Sequence, residues 1–243
     1  MLPTLVSLVD LTSLKAVEIE QDIRHLCKHS QTPLGPVAAV CVWPRWVSLC
    51  AHALRESPTA VATVVNFPHG QLTPAAVLAE TATALAQGAD EIDLVLPYRD
   101  VSQGKTAAAG ALVAQVADRC HASGAHLKVI IESGELGNAR LIRTASCLSL
   151  DNGADFIKTS TGKVPVNATV AAAEIMLECL ATHKRAAGFK AAGGISRVGQ
   201  AETYVQLART ILGPDAVTPA RLRFGASALL DDILHTARVG HAD

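Results

Sequence analysis

Eight times between Leu5 and Phe224, a short run of β-branched or small apolar residues gives way to a longer stretch that is alanine-rich and amphipathic. The runs are Leu5–Asp10, Val37–Val42, Ala60–Asn66, Glu91–Leu96, Leu127–Glu132, Asp155–Lys158, Gly188–Lys190 and Arg221–Phe224. Strands separated by helices pair in parallel, and eight such units close into a (β/α)8 TIM barrel. Helices are expected over Asp22–Lys28, Ala75–Gln87 and Ala107–Ala122, and Gly88, Gly124, Gly153 and Gly213 stand where helices should stop. With no linker, low-complexity segment or clear repeat period, the 243 residues fit one barrel, so a single α/β domain over residues 1–243 is expected.

Charge and cysteine usage narrow the partners. A net charge of −1 gives no global basic field, so nucleic acid is not an expected partner and any anion must be held by a local cluster. The six cysteines contain no C-x-x-C pair and suit reduced thiols. No apolar run is long enough for a membrane span and no basic-then-apolar leader opens the chain, so a soluble cytoplasmic protein with no membrane partner is expected.

Side chains alternate across a strand, and this parity decides what the barrel interior holds. Ile92, Leu94 and Leu96 face the helices if Asp93 points inward; Val129 and Ile131 do the same if Lys128 and Glu132 point inward. Asp10, Asp93, Lys128, Lys158 and Lys190 are thereby expected in the lumen, where buried charges must pair or change their proton affinity. Lys158 lies where a strand breaks into Thr159-Ser-Thr161-Gly162-Lys163. An amine half inside a hydrophobic wall tends to its neutral, nucleophilic form, and a second ammonium nearby adds to that tendency. Gly193-Gly194 follows the seventh run, Gly225-Ala226-Ser227 follows the eighth, and Thr161 with Gly162 follows the sixth. Barrels commonly bind phosphate at the loops after the seventh and eighth strands through backbone N–H groups.

Other motifs carry less. Thr161-Gly162-Lys163 lacks the remaining residues of a P-loop. His25 and His29 have i, i+4 spacing without a third ligand, so no metal site is expected. His69 lies in a shape-giving loop, and Cys41 reads as a small buried hydrophobe.

Taken in order, several segments together resemble the class I deoxyribose-phosphate aldolase family. They are Glu91-Ile-Asp93-Leu-Val-Leu-Pro97-Tyr98, Lys128-Val-Ile-Ile-Glu132-Ser-Gly-Glu-Leu136, Asp155 to Lys163 followed by Val164-Pro-Val-Asn167-Ala-Thr169, Gly188-Phe-Lys190-Ala-Ala-Gly193-Gly194 and Arg223-Phe-Gly225-Ala-Ser227, and the likeness runs from about Leu8 to Leu234. The resemblance implies an aldehyde-lyase that needs no cofactor or metal. It implies reversible cleavage of 2-deoxy-D-ribose 5-phosphate to D-glyceraldehyde 3-phosphate and acetaldehyde, in deoxyribonucleoside catabolism. Its substrates would be small phosphosugars and aldehydes, and a homodimer is implied. Carried onto this chain, Lys158 forms the Schiff base, Lys190 depresses its proton affinity and Asp93 shuttles protons through a water. Asp10 orients Lys190 or Lys163, with Lys128 and Lys163 supporting. Thr161, Gly162, Gly193, Gly194, Gly225 and Ser227 hold the phosphate.

The chain departs from the family pattern at Ala191, often proline, at Ala228, often serine, and in a tail from Arg238 that lacks the terminal tyrosine some members carry. The rival readings are a Schiff-base barrel acting on a ketose phosphate, a metal-dependent aldolase, and a phosphosugar-binding barrel without catalysis.

Overall fold

A computed structural model describes residues 1–240. Among them, eight parallel strands close a barrel: β1 (Val9–Ser13), β2 (Ala39–Val42), β3 (Ala60–Val65), β4 (Glu91–Val95), β5 (His126–Ile130), β6 (Phe156–Lys158), β7 (Gly188–Ala192) and β8 (Leu222–Ala226). Each strand pairs with its sequence neighbours, and β1 joins β8 through Asp10 opposite Gly225. The (β/α)8 expectation therefore holds, and each strand run lies within a few residues of its observed strand, apart from the ends.

Helices fill the intervals between strands because their apolar faces have the outward-facing strand residues to cover. Val9, Leu11, Ile92, Leu94, Val129, Ile157, Phe189 and Phe224 belong to this outer core with Val77, Val113, Met176 and Leu230 from the helices. Local signals fix the helix ends. Thr73, Asn138 and Thr169 each accept the backbone N–H three residues on and so cap the helices Pro74–Ala86, Ala139–Asp151 and Val170–Thr182. Gly153, at φ 101°, turns the chain out of Ala139–Asp151 towards β6, a conformation open to glycine and strained for other residues.

The largest departure from expectation is at the start. Leu5–Asp10 does not form a strand; Leu2–Ser7 is a helix with Pro3 in its first turn, and β1 begins only at Val9. Proline fits a first helical turn, where its missing N–H costs nothing, and Leu5 and Val6 still bury their side chains. Elsewhere the strand ends differ by at most two residues: β5 starts at His126 and ends at Ile130, before Glu132, and β7 continues to Ala192.

Strand register divides the barrel interior into two unlike halves. Ala39, Cys41, Ala62 and Val64 of β2 and β3 form an apolar cluster with Leu14, packed by Trp43 and Phe67. On the other side, Val64 pairs with Asp93, Asp93 with Lys128, Lys158 with Lys190 and Lys190 with Arg223. Paired residues of adjacent strands face the same side, so the remaining strands line the lumen with charge.

Candidate active site

Six of these charged side chains form a closed ring of alternating sign. Arg223 lies 2.6 Å from Asp10, Asp10 2.6 Å from Lys190, and Lys190 2.8 Å from Asp93. Asp93 lies 2.9 Å from Lys128, Lys128 bonds to Glu91, and Glu91 returns to Arg223 at 2.9 Å. Lys158 is a seventh member attached from outside: its Nζ donates to Asp93 Oδ2 at 2.7 Å, the same oxygen that accepts from Lys190. Below the ring, Phe156 fills the lumen over Gly188, where a Cβ would lie 2.2 Å from the ring carbon, and the Arg223 guanidinium sits 5.5 Å from the Phe156 centroid.

Burial and charge act differently on each member. Burial pushes the Asp93 carboxyl up, but the ammonium groups of Lys128, Lys158 and Lys190 outweigh it and hold the group well below the usual carboxylate range. Asp10 is likewise held down, against its burial, by Lys190, Arg223 and Lys128. Burial favours a neutral Lys190, yet Asp10 and Asp93 prevail and keep it protonated beyond the ordinary lysine range; Asp93 and Glu91 do the same for Lys128. Lys158 goes the other way. Burial is the largest influence and lowers its proton affinity, Lys190 adds to this, and Asp93 opposes without prevailing. One amine of the cluster is thus biased to the neutral form that attacks a carbonyl.

That amine is also the one within reach of a ligand. A cavity of about 390 Å³ opens at the C-terminal end of the barrel, and Lys158 lines it, whereas Lys190 and Asp93 lie beneath. Its other walls are the loops after β1, β6, β7 and β8. Thr161, Gly162, Gly193, Gly194, Gly225 and Ser227, all expected to hold phosphate, line this cavity together with Lys158. Gly193 and Gly194 have φ of 88° and 84°, and a Cβ on Gly193 would lie 2.5 Å from Asn167. Lys163 reaches across the cavity to donate to the Leu14 carbonyl at 2.8 Å. Glu132, at φ 53°, ties β5 to the same loop by accepting the Thr161 N–H at 3.1 Å, and its burial raises its carboxyl above the usual value.

The structure sharpens the sequence reading of this cluster. Of the two lysines expected as partners of Asp10, Lys190 is the one in contact, with Arg223 beside it, whereas the Lys163 amine is engaged with Leu14. Glu91 and Arg223, which the sequence does not single out as site residues, both sit in the ring, and Glu91 shares the parity of Asp93, a signal that marks it for the lumen. Lys128 is sealed among carboxylates, out of the cavity, so its contact is with the ring. Outside the site, His29 meets Asp231 at 2.9 Å while its ring stacks on that of His25, and no group of three or more metal-binding side chains occurs among the described residues. Ala228 lines the cavity beside Ser227 and supplies no hydroxyl there. The tail ends, from His241, outside the described residues. No helix among the described residues is long and apolar enough to cross a membrane.

Comparison with known proteins points to one family. The model of the DeoC/LacD family aldolases matches residues 4–235. A deoxyribose-phosphate aldolase of Agrobacterium fabrum is 48% identical over 235 residues, which cover 96% of this chain and 90% of that protein. Among solved structures, a candidate deoxyribose-phosphate aldolase from Coccidioides immitis superposes with a TM-score of 0.85 at 27% identity, over 98% of this chain and 87% of the other. The fold is also shared with a tetrameric deoxyribose phosphate aldolase from Aeropyrum pernix, with a TM-score of 0.78, 23% identity and coverage of 97% and 92%.

Proposed function

The chain belongs to the DeoC/LacD aldolase family, and from that premise we propose that it reversibly cleaves 2-deoxy-D-ribose 5-phosphate to D-glyceraldehyde 3-phosphate and acetaldehyde through a Schiff base on Lys158. The observation that carries this reading is that Lys158, the lumen amine biased to neutrality, lines one cavity with the glycine loops after β7 and β8.

In the cleavage direction the neutral Lys158 amine adds to the C1 carbonyl of the open-chain sugar, and the carbinolamine loses water to give an iminium. A base then takes the proton of the C3 hydroxyl, the C2–C3 bond breaks, and its electron pair passes into the iminium to leave an enamine. Glyceraldehyde 3-phosphate departs, C2 is protonated, and water hydrolyses the iminium to release acetaldehyde and the amine. Asp93 touches both Lys158 and Lys190, so it orients the attacking amine, stabilises the iminium charge and relays protons through a water. Lys190 is the fixed cation. The phosphate rests on backbone N–H groups of Gly193, Gly194, Gly162 and Gly225 with the hydroxyls of Thr161 and Ser227, and Lys163 adds charge.

The same reading makes the protein a cytoplasmic homodimer of deoxyribonucleoside breakdown. Sedimentation of the purified chain checks the dimer. Turnover is checked by coupling glyceraldehyde 3-phosphate to a reporting dehydrogenase. Activity on deoxyribose 5-phosphate that Lys158→Leu abolishes is the expected result; activity on fructose or tagatose phosphates alone would replace this reading with that of a ketose-phosphate aldolase.

A further inference from the structure

We propose that Arg223 and Glu91 are positioning residues that set the proton occupancy of Lys158 by closing a neutral ring beneath it. The inference rests on Lys158 being the attacking amine and concerns why that lysine, and not Lys128 or Lys190, is the free one. Around the ring each charge has a neighbour of opposite sign on either side, in the order Arg223, Asp10, Lys190, Asp93, Lys128 and Glu91, back to Arg223, and a longer contact of 3.7 Å joins Lys128 to Asp10 across it. Three positive and three negative charges cancel, and every ring member is buried. Lys158 shares Asp93 with two lysines and has no carboxylate of its own in the ring. A charge added there is an excess charge in a poorly solvated interior, so the proton is given up at Lys158.

Arg223 and Glu91 line none of the cavity, yet they complete the ring. Without Arg223, Asp10 and Glu91 each lose a cation and the ring carries a net negative charge that a protonated Lys158 would neutralise. Without the Glu91 charge the ring is positive, and a proton on Lys158 becomes costlier. The other groups facing Lys158 are Glu132 at the end of β5, Cys41 on β2, and Lys15 and Lys163 on the cavity wall. None is altered by exchanging Arg223 or Glu91, so they act as a constant background. Arg223 lies two strands from Lys158, roughly 10 Å away. A unit charge at that distance, with an effective permittivity of about 20, moves the titration of an amine by about one pH unit.

The test follows the pH dependence of acetaldehyde trapping at Lys158 with cyanoborohydride, adduct site and rate both read by peptide mapping. Arg223→Met should move the midpoint of the amine limb up by about one unit, and Glu91→Gln should move it down by about as much. The double variant restores neutrality and should return the midpoint to within a few tenths of a unit of the native value. A ring member that only supported the fold would lower rates without moving midpoints in opposite directions. Unmoved midpoints, or both single variants moving the same way, with the adduct still on Lys158, would overturn the proposal while leaving the nucleophile intact. An adduct absent from Lys158 in the native chain would instead overturn the nucleophile and this inference with it. Circular dichroism accompanies each variant. Should Arg223→Met fail to fold, the near-isosteric Glu91→Gln decides alone: a downward shift supports the proposal and no shift overturns it.

Discussion

The barrel interior is built in two ways that meet along the boundary between β3 and β4. On the β2–β3 side, Ala39, Cys41, Ala62 and Val64 exclude water and pair with nothing. On the other strands seven ionised or ionisable side chains fill the lumen, and their burial is tolerated because each finds a partner of opposite sign. The difference teaches where stability and chemistry lie. Small apolar residues fill a lumen simply, through dispersion and exclusion of water. A buried ion ring gains little net stability, since desolvation offsets most of its attraction, but it can lower the proton affinity of one amine beside a cavity. The apolar wall serves that purpose as well: a low-dielectric side facing Lys158 is part of what keeps water from stabilising its charge.

Exchanging residues on either side sharpens the contrast. The largest effect should come from Lys158→Leu, which removes the nucleophile and should lower kcat/KM by at least about 10³-fold. Thermal stability should hold or rise, because an apolar side chain replaces the surplus cation of the lumen; calorimetry beside the coupled assay tests both. Asp93→Asn comes next. It leaves Lys128 and Lys190 without their shared counter-charge and should cost about 3–5 kcal/mol in urea unfolding, together with most of the activity.

The ring also predicts how stability responds to acid. Asp93 and Asp10 have folded-state pKa values below their unfolded ones, so their contribution is fully present above the unfolded value of about 3.9 and is lost as pH falls through the lower folded values. Urea midpoints should therefore fall steeply below about pH 4, and Asp93→Asn should flatten that fall. A smaller effect belongs to the apolar side. Val64→Ala should cost about 1–3 kcal/mol through the cavity it leaves, while kcat of the folded fraction stays within about threefold of native. If Val64→Ala instead changed the pH profile strongly, the division into two halves would fail. The smallest effect is expected at Ala228→Ser, where one hydroxyl returned to the cavity wall should raise the preference for phosphorylated over free deoxyribose by roughly two- to tenfold in kcat/KM.

How far the chain could be read before its structure follows from what each feature depends on. Strand parity is local, so Asp93, Lys128, Lys158 and Lys190 were placed in the lumen correctly, and the loop glycines after β6, β7 and β8 were legible from their order. The closing of the ring was not. The Arg223 side chain spans the lumen to Asp10 and Glu91, partners 213 and 132 residues away, and those contacts exist only once eight strands have closed with a particular stagger. The helix Leu2–Ser7 was missed for a different reason: Leu5 to Val9 has the composition of a strand, and burial against the rest of the barrel outweighs its local preference.

Acetaldehyde itself can report which lysine is the nucleophile. The native chain is incubated with acetaldehyde, reduced with borohydride and mapped by mass spectrometry, with Lys158→Leu as the control. A single reduced two-carbon adduct on Lys158, absent from the control, is the expected result. An adduct on Lys190 or Lys128, or none on any lysine, would contradict it, because the buried ring would then not be the device that frees Lys158.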